Sequence, residues 1–338
     1  MGGGKGVYSI KVNNLQKEYR FHRKEPGFLG SIKSMVNRKY EQKIAVNDLS
    51  FKLKQGDFAG FIGPNGAGKT TTLKILTGIL TPSHGEVEIM GCVPWKRSLE
   101  HRRQISIMMG NRGQLIWDLP PLETFELNKE LYSISSKDYK NRLEELSGLL
   151  EVEHLLKVQT RKLSLGERMK MEMIAALLHA PKVLFLDEPT IGLDLFAQKK
   201  IRGFLKEYNQ RYNATILLTS HYLDDIQDLC EKLMILNKGN LVYNGLTADI
   251  MKDFDVNKYI SVSFKEKISS SQIERLGAKV TLQEQNKMVL CVNKNEMKNV
   301  ATILLNSFPI EDLTVENISI EGVIEKIYSK SNKQLIRG

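Results

Sequence analysis

The octapeptide Gly63-Pro64-Asn65-Gly66-Ala67-Gly68-Lys69-Thr70 fits G-x-x-x-x-G-K-S/T, and its setting constrains the fold more than any other feature of the chain. Before it, Phe58 to Ile62 is a short apolar run; after it, Thr70 to Leu80 reads as a helix ended by Thr81-Pro82. In a strand, loop and helix of this kind the glycines let backbone N–H groups converge on phosphate oxygens at the helix N-terminus. Lys69 then places a cation at the β- and γ-phosphates, and the Thr70 hydroxyl ligates Mg²⁺. Gly63 to Thr71 is therefore the expected nucleotide site.

Val183-Leu184-Phe185-Leu186-Asp187-Glu188 supplies the complementary part. Four apolar residues in a row fit a parallel strand buried on both faces, which delivers two carboxylates to the end of the sheet beside the phosphate loop. Asp187 is expected to hold Mg²⁺, and Glu188 to orient or deprotonate the water that attacks the γ-phosphate. On a surface loop, adjacent carboxylates carry no such meaning; the strand before them is what gives them one.

With 338 residues the chain exceeds the usual size of one hydrophobic core, so two domains are expected. The 41% apolar and 26% charged composition is that of an ordinary globular protein. No stretch approaches the roughly 18 to 20 uninterrupted apolar residues that span a bilayer. Met1 to Gly6 lacks an apolar signal region, and Gly6 stands where a myristoylation motif takes Ser or Thr. Cys92, Cys230 and Cys291 lie far apart with no metal-ligand spacing, as suits a reducing cytosol. The net charge of +10 is uneven: Arg20, Arg23, Lys24, Lys33, Arg38, Lys39 and Lys43 crowd one segment, which fits an acidic partner, an anionic membrane face or a solvated loop.

Tyr8 to Val12 alternates like a strand, as does Val87 to Ile89. Between them, residues 20–44 read as a basic insertion with a Pro26-Gly27 turn and an amphipathic run from Phe28 to Val36. Helical spacing from Leu122 to Leu156, and again from about Gly166 to Ala180, places a helical subdomain at about 115–180. Thr215 to Thr219 reads as a further buried strand. After about Asp253 short alternating strands (Tyr259 to Phe264, Met288 to Val292) and helical stretches (Ser271 to Leu276, Lys298 to Ser307) mark a small α+β domain. The expected division is 1–250 and 251–338.

These motifs, in this order, resemble the nucleotide-binding subunit of an ABC transporter from about residue 8 to 250. The resemblance implies an α/β fold: a P-loop NTPase (RecA-like) core with an inserted helical subdomain and antiparallel strands, followed here by the small α+β domain. Leu163-Ser164-Leu165-Gly166-Glu167 stands where the family's LSGGQ motif belongs, and implies that Ser164, Gly166 and Glu167 meet the γ-phosphate of ATP held by a partner subunit. Leu165 and Glu167 depart from the family's Gly and Gln. Asp194, in Ile191-Gly192-Leu193-Asp194, matches the dimer-crossing loop; His221 matches the switch histidine; Tyr19 holds the position of the aromatic that stacks on adenine, although a strand tyrosine is also ordinary packing. Asn111 falls at the Q-loop glutamine with Gln114 three residues later, so either can carry that role. Leu115, Ile116 and Trp117 fit contact with a membrane subunit or core packing equally.

The long insertion, the Gln114 to Pro120 stretch and the Leu163 to Arg168 motif together resemble a bacterial subfamily of ABC-2-type, multidrug- or viologen-like exporters, and Leu313 to Glu321 resembles their ending. The implied protein is an ATP- and Mg²⁺-dependent motor at the cytoplasmic face of the membrane. It would pair with a second nucleotide-binding subunit, most simply a copy of itself, and with permease subunits on separate chains. The competing class is a soluble, non-transport ABC ATPase acting on ribosomes or nucleic acid, which the charge alone favours. Those proteins carry tandem nucleotide-binding domains or long coiled coils, absent here, so no nucleic-acid partner is expected.

Overall fold

The computed structural model describes residues 8–22, 40–110, 113–220, 222–254, 257–317, 322–324 and 326–329. Most of the basic insertion, Asn111 and His221 lie outside them. The chain divides into two units, Met1–Asn244 and Gly245–Gly338.

In the first unit, β1 (Tyr8–His22), β2 (Tyr40–Lys54) and β4 (His84–Ile89) form an antiparallel sheet with β1 in the middle. A second sheet holds β3 (Phe58–Ile62), β5 (Ile105–Met109), β6 (Val183–Asp187), β7 (Thr215–Thr219), β8 (Lys232–Asn237) and β9 (Asn240–Leu246), in the order β5-β6-β7-β3-β8-β9. Its first five strands pair in parallel. Strands β3 and β7 are buried at every position, the burial that continuous apolar runs call for in a sheet covered on both faces. Phe61, Phe185 and Leu217 pack with Leu73 and Ile75 from α1 (Lys69–Leu76) in one apolar core.

Around these sheets run α2 (Leu99–Gln104), α3 (Pro121–Leu131), α4 (Ser136–Leu150), α5 (Leu165–Leu177), α6 (Leu195–Tyr212) and α7 (Leu223–Leu229). Helix α1 stops earlier than its apolar spacing predicts, because Gly78 turns to φ +76° and the Thr77 hydroxyl bonds back to the Leu73 carbonyl at 2.9 Å. The single helical stretch expected over Leu122 to Leu156 is two helices. Ser133 lies at φ +53°, and Ser135 caps α4 by accepting the Asp138 N–H at 3.1 Å.

The second unit begins with α8 (Thr247–Phe254). Its sheet runs β11 (Lys279–Glu284), β12 (Lys287–Asn293), β10 (Asn257–Phe264), β13 (Ile310–Asn317), all antiparallel, with α9 (Ser270–Glu274) and α10 (Met297–Ser307) between strands. Ile260, Val262, Phe264, Met288, Leu290 and Val292 alternate inward and meet Ile273, Val300 and Leu304 from the helices. No helix among the described residues is long and apolar enough to cross a membrane.

Candidate functional site

Parallel strands put their carboxyl ends on one side of the sheet, and the loops leaving β3, β6 and β7 meet there. The loop 63–68 needs glycine at its last position: Gly68 sits at φ +105°, and a Cβ there would lie 2.4 Å from the Ala45 carbonyl oxygen. Gly68 is also the N-cap of α1 and leaves that helix start with no side-chain cap, so the amides of the first turn keep no acceptor from a capping residue. Lys69, 7% exposed, donates to the carbonyl oxygens of Gly63 (2.5 Å) and Pro64 (3.3 Å). Burial holds its ammonium below the ordinary lysine range, while the carboxylates of Glu188 and Asp187 pull it upward.

Strand β7 lies between β3 and β6, and its last residue, Thr219, is bonded to the carboxylate pair at the end of β6. The Thr219 hydroxyl donates to Asp187 Oδ1 at 2.7 Å, and the Thr70 hydroxyl donates to Asp187 Oδ2 at 3.3 Å. A hydroxyl and a carboxylate side by side are the hard oxygen donors that Mg²⁺ takes, together with phosphate oxygens and water. Glu188 follows at φ +57°, a left-handed conformation unfavourable for a residue with a Cβ. It is held there by its N–H, which donates to the Thr219 carbonyl at 3.0 Å and to the Thr219 hydroxyl at 3.2 Å. The turn aims the Glu188 side chain into the cleft over the phosphate loop.

That cleft, about 250 Å³, is lined by Asn65 to Thr71 and Glu188, with Tyr19, Lys43 and Ala45 from the antiparallel sheet. Tyr19 and Lys43 are cross-strand partners, and the Lys17 ammonium lies 5.5 Å from the Tyr19 ring centroid, holding the ring from one side. The geometry thus brings together Tyr19, the phosphate loop, Asp187 and Glu188.

Ser164, Gly166, Glu167 and Asp194 are outside the lining of this cleft. Ser164 caps α5 in a capping box: its hydroxyl oxygen accepts the Glu167 N–H at 3.3 Å, and its own N–H donates to the Glu167 carboxylate at 2.8 Å. That second bond holds the Glu167 carboxyl below the usual range and gives Glu167 a use at a position where the family has Gln. Asp194 caps α6 by accepting the N–H groups of Phe196 and Ala197, both at 2.9 Å. Beside these caps Leu195 and Phe196 are 77% and 87% exposed, an apolar surface open to a partner.

Gln114 turns back along the sheet. Its side-chain amide donates to the Ile107 carbonyl at 2.8 Å, and Ile107 is in register with Phe185, two residues short of Asp187. Ile116, Trp117 and Leu119 are exposed, with the Arg168 guanidinium 5.4 Å from the Trp117 ring.

Sequence reasoning missed Thr219, Asp225 and Glu172. Asp225, fully buried, accepts from Thr190 (2.6 Å) and Ser220 (2.8 Å) and pairs with Arg202 (3.0 Å). It therefore joins the segment after Glu188 to the residue before His221. The available signal was a polar residue at the end of an apolar strand for Thr219, and a carboxylate on the inward face of a helix for the other two.

The geometry agrees with what the chain is similar to. Residues 46–191 match the ABC transporter family model, and residues 257–316 match the C-terminal domain of EvrA-like ABC transporters. The ABC transporter ATP-binding protein NatA of Bacillus subtilis is 31% identical over 201 residues, 60% of this chain and 81% of NatA. The Nod factor export ATP-binding protein I of Cupriavidus pinatubonensis is 32% identical over 216 residues, 64% of this chain and 66% of that protein. A solved ATP-binding subunit of an ABC transporter superposes with a TM-score of 0.60 at 26% identity, over 72% of this chain and 92% of its own. The chain belongs to the ATP-binding, ATP-hydrolysing subunits of bacterial ABC transporters.

Proposed function

We propose that this chain is half of an export motor, in which two copies close around two ATP molecules and reopen after hydrolysis, moving permease subunits on separate chains. The observation that carries this reading is the division of labour within one unit. A cleft holds Lys69, Thr70 and Glu188 together, with Asp187 bonded to Thr70 behind it, while Ser164 and Gly166 start a helix outside it, beside exposed Leu195 and Phe196. In the closed pair each ATP lies between the phosphate loop of one copy and the Ser164 helix start of the other. Tyr19 stacks on the adenine, Lys69 and the backbone amides of the loop Gly63 to Thr71, other than Pro64, hold the phosphates, and Asp194 braces the crossing loop.

Thr70 and Asp187 would hold Mg²⁺, which when bound neutralises charge building on the phosphates. Glu188 accepts a hydrogen bond from the attacking water and takes up its proton, and His221 contacts the γ-phosphate. The placement of Gln114 beside Ile107 favours Asn111 for the Q-loop role. The proposal includes the division at about residue 250, with 251–338 as an accessory domain, and a peripheral position at the cytoplasmic face of the membrane through the permease. Export, rather than import, is favoured by the motif pattern.

The test is affinity purification of the chain from its native membranes in mild detergent, with co-purifying proteins identified by mass spectrometry. Stoichiometric polytopic membrane subunits are the expected result. Ribosomes or nucleic acid without a membrane protein would leave the ATPase standing and overturn the motor.

A further inference from the structure

Helix α5 carries a carboxylate that the ATP chemistry does not use. Glu172 lies two turns beyond Ser164, 5% exposed, beside Met169, Met171, Met173 and Ile174, all buried. Burying a carboxylate among such side chains is unfavourable unless its oxygens are bonded. They are bonded to a segment far away in sequence. Oε2 accepts the backbone N–H of Gln114 at 2.7 Å, and Oε1 that of Leu115 at 3.3 Å.

The approach is close: a Cβ on Gly113 would lie 2.6 Å from Glu172 Oε1, so that the carboxylate at the end of the flexible Glu172 side chain would have to shift to admit one. One turn nearer Ser164, Arg168 packs its guanidinium over Trp117. The segment 113–117 is thus fastened at two places to α5 and, through the Gln114 side chain, at one to β5.

We propose that Glu172 is a positioning residue that locks the segment 113–117 to the helix carrying Ser164, so that the loop leaving β5 and the Ser164 end of α5 shift as one body when ATP is engaged. The proposal rests on the reading of Ser164 as the second nucleotide contact. Removing the carboxylate strands two backbone N–H groups and undoes one of the segment's two fastenings to the helix, leaving the Arg168–Trp117 contact, without touching the phosphate loop.

The experiment compares full-length Glu172→Ala, Glu172→Gln and Gly113→Ala with the wild type in ATP equilibrium binding, steady-state ATPase and hydrogen exchange. Glu172→Ala should lower kcat about tenfold with ATP Kd unchanged within about twofold. Gly113→Ala, which keeps the carboxylate but crowds it away from the two N–H groups, should lower kcat in the same direction by a smaller factor. Glu172→Gln keeps one acceptor oxygen and should recover part of kcat. In a Glu188→Gln background the amides of Gln114 and Leu115 should gain exchange protection on ATP binding in step with the first turns of α5, and lose that concert in Glu172→Ala.

Wild-type kcat and exchange in Glu172→Ala overturn the proposal. So does a loss of kcat that tracks a fall in Tm and in ATP affinity and is not reproduced by Gly113→Ala, since that is plain destabilisation. If instead the exchange coupling holds but Ser164→Ala leaves kcat intact, the reading of Ser164 fails and the role of Glu172 survives.

Discussion

Helix α1 begins on Gly68 with no side chain to cap it, whereas α5 begins on Ser164 and α6 on Asp194, each capped by its own oxygen. All three starts present the positive end of a helix dipole. At α1 the amides of the first turn are left to a ligand. At the other two, donors are already bonded: Glu167 N–H to Ser164, and Phe196 and Ala197 N–H to Asp194. On the proposed reading the uncapped start holds the nucleotide of its own copy. The capped starts adjoin one another, with a Cβ on Gly166 3.5 Å from that of Ala197, and their caps keep them ordered without a ligand.

Joining the two kinds of start on one nucleotide is the strongest way to test the contrast. Glu188→Gln should lower turnover by roughly 10² to 10⁴, the range for losing a general base, while ATP binding persists. Size-exclusion chromatography with ATP should then show an accumulated dimer. Undiminished turnover would place the base elsewhere. Gly68→Ala attacks the uncapped start directly: the new Cβ meets the Ala45 carbonyl and the residue must keep a positive φ. ATP affinity, followed by equilibrium titration, should fall at least about tenfold, or roughly 1.4 kcal/mol.

At a capped start the expected loss is of stability instead. Asp194→Ala should cost about 1 to 2 kcal/mol, because two N–H groups lose their acceptor. Calorimetry should show a lower Tm, with ATP titration of the isolated copy unchanged.

How much of this was legible in the sequence depended on how local each determinant is. Gly63 to Thr70 and Val183 to Glu188 carry their context with them, so the loop, the strand and the two carboxylates stand where their neighbours predict. Thr215 to Thr219 has the predicted bounds, because an apolar run buried on both faces admits no other period. Strand β11 escaped notice because most of its residues are exposed at the sheet edge and lack an apolar alternation. The tie from Thr219 to Asp187 spans 32 residues and that from Glu172 to Gln114 spans 58, and no periodicity encodes such a pair. The left-handed turn at Glu188 was equally hidden, since it is imposed by Thr219 rather than by a glycine.

The smallest expected effect separates the two duties of Ser164. As a cap it accepts the Glu167 N–H; as a phosphate contact it donates its own hydroxyl proton, and one oxygen can do both. Alanine removes both duties and should cost about 1 kcal/mol of stability, whereas glycine, a tolerable N-cap, should cost only a few tenths. If the hydroxyl serves phosphate, Ser164→Ala and Ser164→Gly lower kcat by the same factor despite different Tm values. If it serves only the helix, kcat follows Tm, and glycine retains the activity that alanine loses. The second outcome would make α5 a structural start like α6 and leave the remaining amides of Leu165 and Gly166 as its only offering to the partner's nucleotide.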